Sequence, residues 1–264
     1  MTDRLVFEST GPHTAVVRFN RPDRLNALDR AAVTELHALL GRLQDDPALR
    51  AVVITGTGRA FSAGADLKEM GDPSRSTSTL RDTREQLHLY QDVTRRMVNS
   101  PIVFIAALNG IAVGIGAELS LASDIRIGTD AAELMLSEVT RGLFETNGVL
   151  HNLPRVVGQG WAARWLLTGE RVPAPALLQS GFLSEIVPAG DLLSRAQALA
   201  DRIAANAPIS VRLLKHLLRR TWEVDLEGML QYEVDGMMAC LASDDIDEGI
   251  RAFHEKRPPR WTGQ

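Results

Sequence analysis

Residues 110–118, Gly-Ile-Ala-Val-Gly-Ile-Gly-Ala-Glu, constrain this chain more than any other stretch. Glycines at 110, 114 and 116 separate an apolar run, 101–108, from a helix-like run, 117–122. The pattern is a strand, a tight glycine turn and the start of a helix. Backbone N–H groups converge at such a junction, because the first amides of a helix lack partners and its dipole is positive there. Glycine lets a ligand come up against the main chain. Glu118 then falls in the first helical turn. Donors beside an acid make a place where a carbonyl can be polarised while a proton moves. The plain alternative is a glycine-rich turn with a surface glutamate, and this stretch alone does not separate the two.

The flanking chain repeats the theme. Residues 15–19 and 51–55 are short β-branched or apolar runs and predict strands, the second buried on both faces. Between them Asp29 is placed to cap a helix whose face is Val33, Leu36, Leu40 and Leu43. Residues 72–79 are polar and contain Pro73, which predicts a loop; 80–99 carry Leu87, Tyr90, Val93 and Met97 at helical spacing. Strand-like runs recur at 101–108, 123–128 and 132–136, and helices are expected near 159–167 and just after Pro173 and Pro175. This alternation predicts an α/β fold with a largely parallel sheet. From Asp191 onward the pattern is helical, with stripes Leu192, Ala196, Leu199, Ile203 and Val211, Leu214, Leu217, Leu218. We therefore expect a core over 1–190 and a helical region over 191–264.

A second turn, Ala63-Gly64-Ala65-Asp66, follows the strand at 51–55. Both turns fall at carboxyl ends of strands, the edge where ligands bind in open parallel sheets. One N–H from each can then meet at a single oxygen. Neither turn has Gly-x-Gly-x-x-Gly spacing or a Lys-Ser/Thr ending, so a nucleotide phosphate is not the favoured ligand. Two further acids follow, Glu138 after the run at 132–136 and Glu145 within the turn at 142–148. No serine sits in a Gly-x-Ser-x-Gly elbow, which argues against a serine hydrolase. The six histidines show no metal-ligand spacing.

Composition narrows the class. A net charge of −4 over 264 residues excludes a general polyanion binder, so no nucleic-acid partner is expected. A single cysteine, Cys240, excludes an intramolecular disulfide framework. No run approaches the ~20 apolar residues of a membrane span. The first ten residues lack the apolar region of a secretory signal. A reducing cytoplasm is the expected location.

The ordered motifs resemble the enoyl-CoA hydratase/isomerase (crotonase) superfamily. The matching segments are Asn20-Arg21-Pro22 with Asn26-Ala27-Leu28, Ile54-Thr55-Gly56 with Phe61 through Met70, and Asn109-Gly110 with Gly114 through Leu119. Leu167-Thr168-Gly169-Glu170, Ser180-Gly181-Phe182 and Ala252 through Arg257 extend the match. The resemblance implies a spiral of ββα units with a C-terminal helical trimerisation region, assembled as a homotrimer or as a hexamer of paired trimers. It implies an acyl-CoA thioester substrate, with coenzyme A part of that substrate and no separate cofactor or metal, and a place in fatty acid metabolism.

Carried over residue by residue, the family's oxyanion hole falls on the amides of Ala65 and Ile115, in agreement with the two-turn reading. The family usually has glycine where this chain has Ile115, so its branched side chain is expected to constrain the backbone and shape the pocket. The two glutamates that manage water in the hydratases match Glu118 and Glu138. Having both implies hydration of the 2,3 double bond rather than isomerisation. Coenzyme A contacts are implied for Arg24, Leu25 and Ala27, the thioester end for Ala63, Asp66, Leu67 and Gly114, and phosphate contacts for Lys68 and Lys256. The segment Gly142-Leu143-Phe144-Glu145-Thr146-Asn147-Gly148 departs from the hydratase pattern, which is rich in Pro, Gly and Ala there. Glu145 therefore keeps isomerisation, C–C hydrolysis or decarboxylation open, along with a non-catalytic acyl-CoA-binding member.

Overall fold

The computed structural model describes residues 4–66 and 79–264. Leu67, Lys68 and most of the loop expected at 72–79 lie outside the described residues.

Strands β1 (Leu5–Ser9), β2 (Thr14–Phe19), β3 (Ala51–Gly56), β5 (Val103–Leu108), β7 (Ile125–Gly128) and β10 (Glu185–Ile186) form one sheet in the order β1-β2-β3-β5-β7-β10. Only β1 runs antiparallel to its neighbour, β2. A second sheet holds β4 (Ala60–Ser62), β6 (Ile111–Val113), β8 (Glu133–Met135) and β9 (Arg171–Pro173), in the order β4-β6-β8-β9. The chain alternates between them: each of β3, β5 and β7 in the first sheet is followed by β4, β6 or β8 in the second. That is the expected ββα spiral.

The expectation of one sheet is thereby corrected. The runs 101–108 and 51–55 do not lead directly into the two turns; β6 and β4 intervene. Both are three-residue strands built of Ala, Val, Ile, Phe and Ser, too short to display a period of two beside their glycines. The turns consequently follow adjacent parallel strands, since β4 pairs with β6.

Side-chain alternation along the first sheet sorts two cores. Val17, Phe19, Val52, Ile54, Phe104, Ala106 and Leu108 face helices α1 (Arg30–Gln44) and α2 (Leu80–Asn99). Val16, Val53, Ile105, Ala107 and Ile127 face α6 (Leu192–Ala204) through Leu192, Ala196 and Ala200. Both faces of β3 and β5 are dry, as all-parallel strands require. Asp29 caps α1 by accepting from the Ala32 amide at 2.7 Å, an interaction worth about 1 kcal/mol.

Between these lie α3 (Ile115–Ala122), α4 (Val149–Thr168) and α5 (Ala174–Gln179). The helix expected near 159–167 is the second half of α4; a first half, which opens at Val149 and holds Pro154, precedes it across a break at Gly158 (φ 79°). The remaining helices are α7 (Pro208–Leu218), α8 (Leu226–Leu241) and α9 (Asp244–Glu255). On α7 the expected stripe is not the buried face: Leu214 and Leu218 are exposed, whereas Lys215 is buried. Lys215 succeeds there because its Nζ reaches Asp124 at 2.9 Å and the carbonyls of Met97 and Ile102.

Candidate active site

The first turn is shaped by the segment 21–29. Leu25 and Asn26 both adopt left-handed backbone, φ 51° and 57°. Holding non-glycine residues there costs about 1 kcal/mol or more each, and hydrogen bonding offsets it. The buried Asn26 side chain accepts from the Arg21 amide and donates to the carbonyls of Thr57 and Ala60 at 2.9 and 2.7 Å. The segment then lies along the turn as a short parallel ladder. Ala63 N donates to Leu25 O, Leu28 N to Gly64 O and Asp66 N to Leu28 O. This register directs the Ala65 amide away from Leu28, and among the described residues it has no hydrogen-bond acceptor.

The second turn hinges on Gly114 (φ 48°, ψ −122°), whose own amide is taken by Met135 O at 3.0 Å. Ile115 opens α3, so its amide has no helical acceptor, and none is found among the described residues. The turns touch at glycines. A methyl on Gly64 would fall 2.7 Å from Val113 O and 3.7 Å from the Cα of Gly114. A methyl on Gly116 would strike Ser62 at 2.7 Å. The glycines thus permit the close approach that brings both amide-bearing turns together. The side chain of Ile115 is buried in the larger core, where it anchors its own amide.

Three acids gather beside these turns. Glu118 is 4% exposed. Burial pushes its carboxyl up to about 7, and the Glu138 charge adds to that; the Asn147 side chain and the amides of Thr146 and Asn147 pull it back by hydrogen bonding. Glu138 begins a 3₁₀ turn, Glu138–Arg141, and its Oε1 lies against Gly114. Burial pushes Glu145 up to about 8, reinforced by the charges of Glu138 and Glu118 and by a hydrogen bond with Glu138. Nearby like charge favours the protonated form of both Glu118 and Glu145. Glu138 Oε2, Glu145 Oε2 and Asn147 Oδ1 are buried with no hydrogen-bond partner among the described residues. The site therefore combines available protons, unpaired polar atoms and unpaired amides.

Asn147 was not singled out from sequence as a site residue, although its segment was marked as unusual. Left-handed glycines at 142 and 148 fold that segment back over the acids, and Gln91 of α2 ties it down by donating to Thr146 O at 3.0 Å.

The residues expected to contact coenzyme A are less concentrated. Leu25 and Ala63 are half-buried and Ala27 is buried beside the first turn, while Arg24 is exposed next to Asp23. Asp66 turns Oδ2 toward Arg21 at 3.1 Å. Lys256 ends α9 in a left-handed conformation and forms no ion pair among the described residues.

Comparison with known proteins identifies the family. The family profile described as enoyl-CoA hydratase/isomerase matches residues 11–264. The 2,3-dehydroadipyl-CoA hydratase of Escherichia coli is 35% identical over 249 residues, covering 94% of this chain and 95% of its own. The short-chain-enoyl-CoA hydratase of Clostridium acetobutylicum is 32% identical, with 97% and 96% covered. The crystal structure of an enoyl-CoA hydratase from Bacillus anthracis superposes with a TM-score of 0.92 at 34% identity, covering 99% of this chain and all of its own. With two glycine-hinged turns held side by side on a ββα spiral, and with sequence likeness running nearly end to end, this chain belongs to the enoyl-CoA hydratase/isomerase family.

Proposed function

We propose that the protein is an enoyl-CoA hydratase, adding water across the 2,3 double bond of an enoyl-CoA thioester. One observation carries the reading: two amides without acceptors among the described residues, on touching turns, lie beside the buried Glu118 and the half-buried Glu138 and Glu145. The Ala65 and Ile115 amides bind the thioester oxygen and stabilise the negative charge that develops on it; removing one such donor from other enzymes costs about 3–4 kcal/mol. Glu138 takes a proton from water as the oxygen attacks C3. Glu118, which holds its proton up to about pH 7, delivers one to C2. Positioned proton transfer of this kind contributes roughly 10²–10⁴-fold. The test is turnover of crotonyl-CoA, followed as loss of enoyl-thioester absorbance; inactivity on both short and long enoyl chains overturns the proposal.

Glu145 supports a second reading. Its hydrogen bond to Glu138 and its raised pKa suit a third proton carrier, as an isomerase moving a double bond along the chain would use. Accumulation of a 3-enoyl product, in place of the 3-hydroxyacyl product, distinguishes it.

The remaining substrate contacts follow the same proposal. Arg24, Leu25 and Ala27 line the pantetheine and nucleotide end, Ala63 the thioester end, and Lys68 and Lys256 meet the phosphates, Lys256 from a second copy of the chain. Exposed Leu226, Leu230, Val234, Met237 and Leu241 on α8, and Phe253 on α9, favour assembly into a trimer or a pair of trimers. Among the described residues no helix is long and apolar enough to cross a membrane; we place the enzyme in the cytoplasm.

A further inference from the structure

An ion network ties the first turn to the segment 21–29, and the mechanism above does not use it. The Arg21 guanidinium is its centre. Nη2 reaches Asp66 Oδ2 at 3.1 Å, Nη1 reaches Asp29 Oδ2 at 3.2 Å, and Nη1 also donates to Ala27 O at 2.8 Å. Arg4 Nε meets the same Asp29 oxygen at 3.0 Å. Asp29 and Asp66 are only 4% and 8% exposed. Asp29 is itself fixed by capping α1. One rigid, planar cation thus links a helix cap, the backbone of the left-handed segment and the residue next to Ala65.

We infer that Arg21 and Asp66 are a positioning pair: the fork of Arg21, braced on Asp29 and Ala27 O, draws in the Asp66 carboxylate and so sets the direction of the Ala65 amide. The inference rests on the proposed role of that amide. Its physical basis is the short chain between the parts. Asp66 adjoins Ala65, the Asp66 amide is held by Leu28 O, and Leu28 N holds Gly64 O. The peptide carrying the Ala65 N–H is therefore pinned on both sides by the segment that Arg21 organises. Asp66 accordingly acts through the backbone of the turn. A misplacement of about 1 Å in such a donor costs on the order of 10²-fold in rate.

Asp66→Asn, which keeps shape but removes the charge, and Arg21→Lys, which keeps charge but removes the fork, test this in the full chain. Four quantities are measured: melting temperature, kcat and KM on crotonyl-CoA, and the absorbance of a bound cinnamoyl-CoA carrying a para-dialkylamino group. That conjugated thioester shifts to longer wavelength when amides polarise its carbonyl. We expect Asp66→Asn to lower kcat at least 20-fold with KM changed less than threefold, and to lose most of the red shift while still binding. Arg21→Lys falls between it and the parent. The inference is overturned if the folded variants keep the full red shift and a kcat within threefold of the parent, whatever their melting temperatures. Should Asp66→Asn not fold, Arg21→Lys decides by the same readouts. If the parent itself gives no red shift on binding, the paired-amide reading fails first, and the two failures are thereby told apart.

Discussion

A methyl group placed on Gly114 would lie 2.7 Å from Oε1 of Glu138. The carboxylate rests against a bare Cα, so the hinge of one amide-bearing turn and the proposed base share a surface. Gly114 also has φ 48° with ψ −122°, a conformation that costs other residues about 1–3 kcal/mol. Gly114→Ala should therefore displace the carboxylate and strain the Ile115 amide together. We expect turnover of crotonyl-CoA to fall at least 100-fold, with stability lowered by about 1–3 kcal/mol, read by steady-state kinetics and denaturant titration.

Glu118→Gln and Glu138→Gln separate the two proton transfers. Each keeps volume and removes a titrating group. Both should lower kcat by roughly 10²-fold or more while leaving binding of a saturated acyl-CoA near that of the parent. If neither variant loses tenfold, the assignment of proton transfer is wrong.

Glu118 also makes the fold sensitive to pH. Its carboxyl binds a proton more tightly in the folded chain, about 7 against an ordinary 4.5. Stability from this group is intact below pH 4.5 and declines as pH rises through that interval. Glu118→Gln, which mimics the protonated acid, should match the parent near pH 4.5 and exceed it at pH 8 by about 3 kcal/mol. Chemical denaturation at the two pH values checks this.

Glu145 divides the readings of the site. Glu145, raised to about 8, carries a proton that it can share with Glu138 through their hydrogen bond. Glu145→Gln retains a donor, so hydration at pH 7 should stay within threefold of the parent and the alkaline limb of the profile should move upward. Glu145→Ala removes the donor and should lose tenfold or more. Equal losses in both variants would favour Glu145 as a direct proton carrier.

Asn147 is predicted to tune Glu118. Its side-chain and backbone donors favour the ionised carboxyl. Asn147→Ala removes the side-chain donor and should shift the limb of kcat/KM that reports Glu118 to higher pH, measured across pH 5–9.

Much of this site was legible because it depends on local backbone chemistry. Glycine at 64, 114 and 116 is what a close turn-to-turn approach demands, and Glu118 follows from its place one helical turn later. Asp29 was legible as a cap for the same reason. Asn147 was not, because its partner is distant in sequence and only the left-handed glycines at 142 and 148 fold it over Glu118. Arg21 appeared as part of a motif without a role; its carboxylate partners at 29 and 66 become partners only when β4 brings the first turn beside the segment 21–29.

By itself the amino-acid order determined the alternation of strands and helices, the two glycine-bearing turns and the acids that follow them, since these rest on short-range sterics and period. Tertiary structure decided that the turns belong to a second sheet of three-residue strands, that Glu145 joins Glu118 and Glu138, and that the exposed stripe on α7 is not its buried face. Those outcomes depend on which surfaces exclude water together. Burial raises a carboxyl's pKa or strands a polar atom only after distant segments have closed around it.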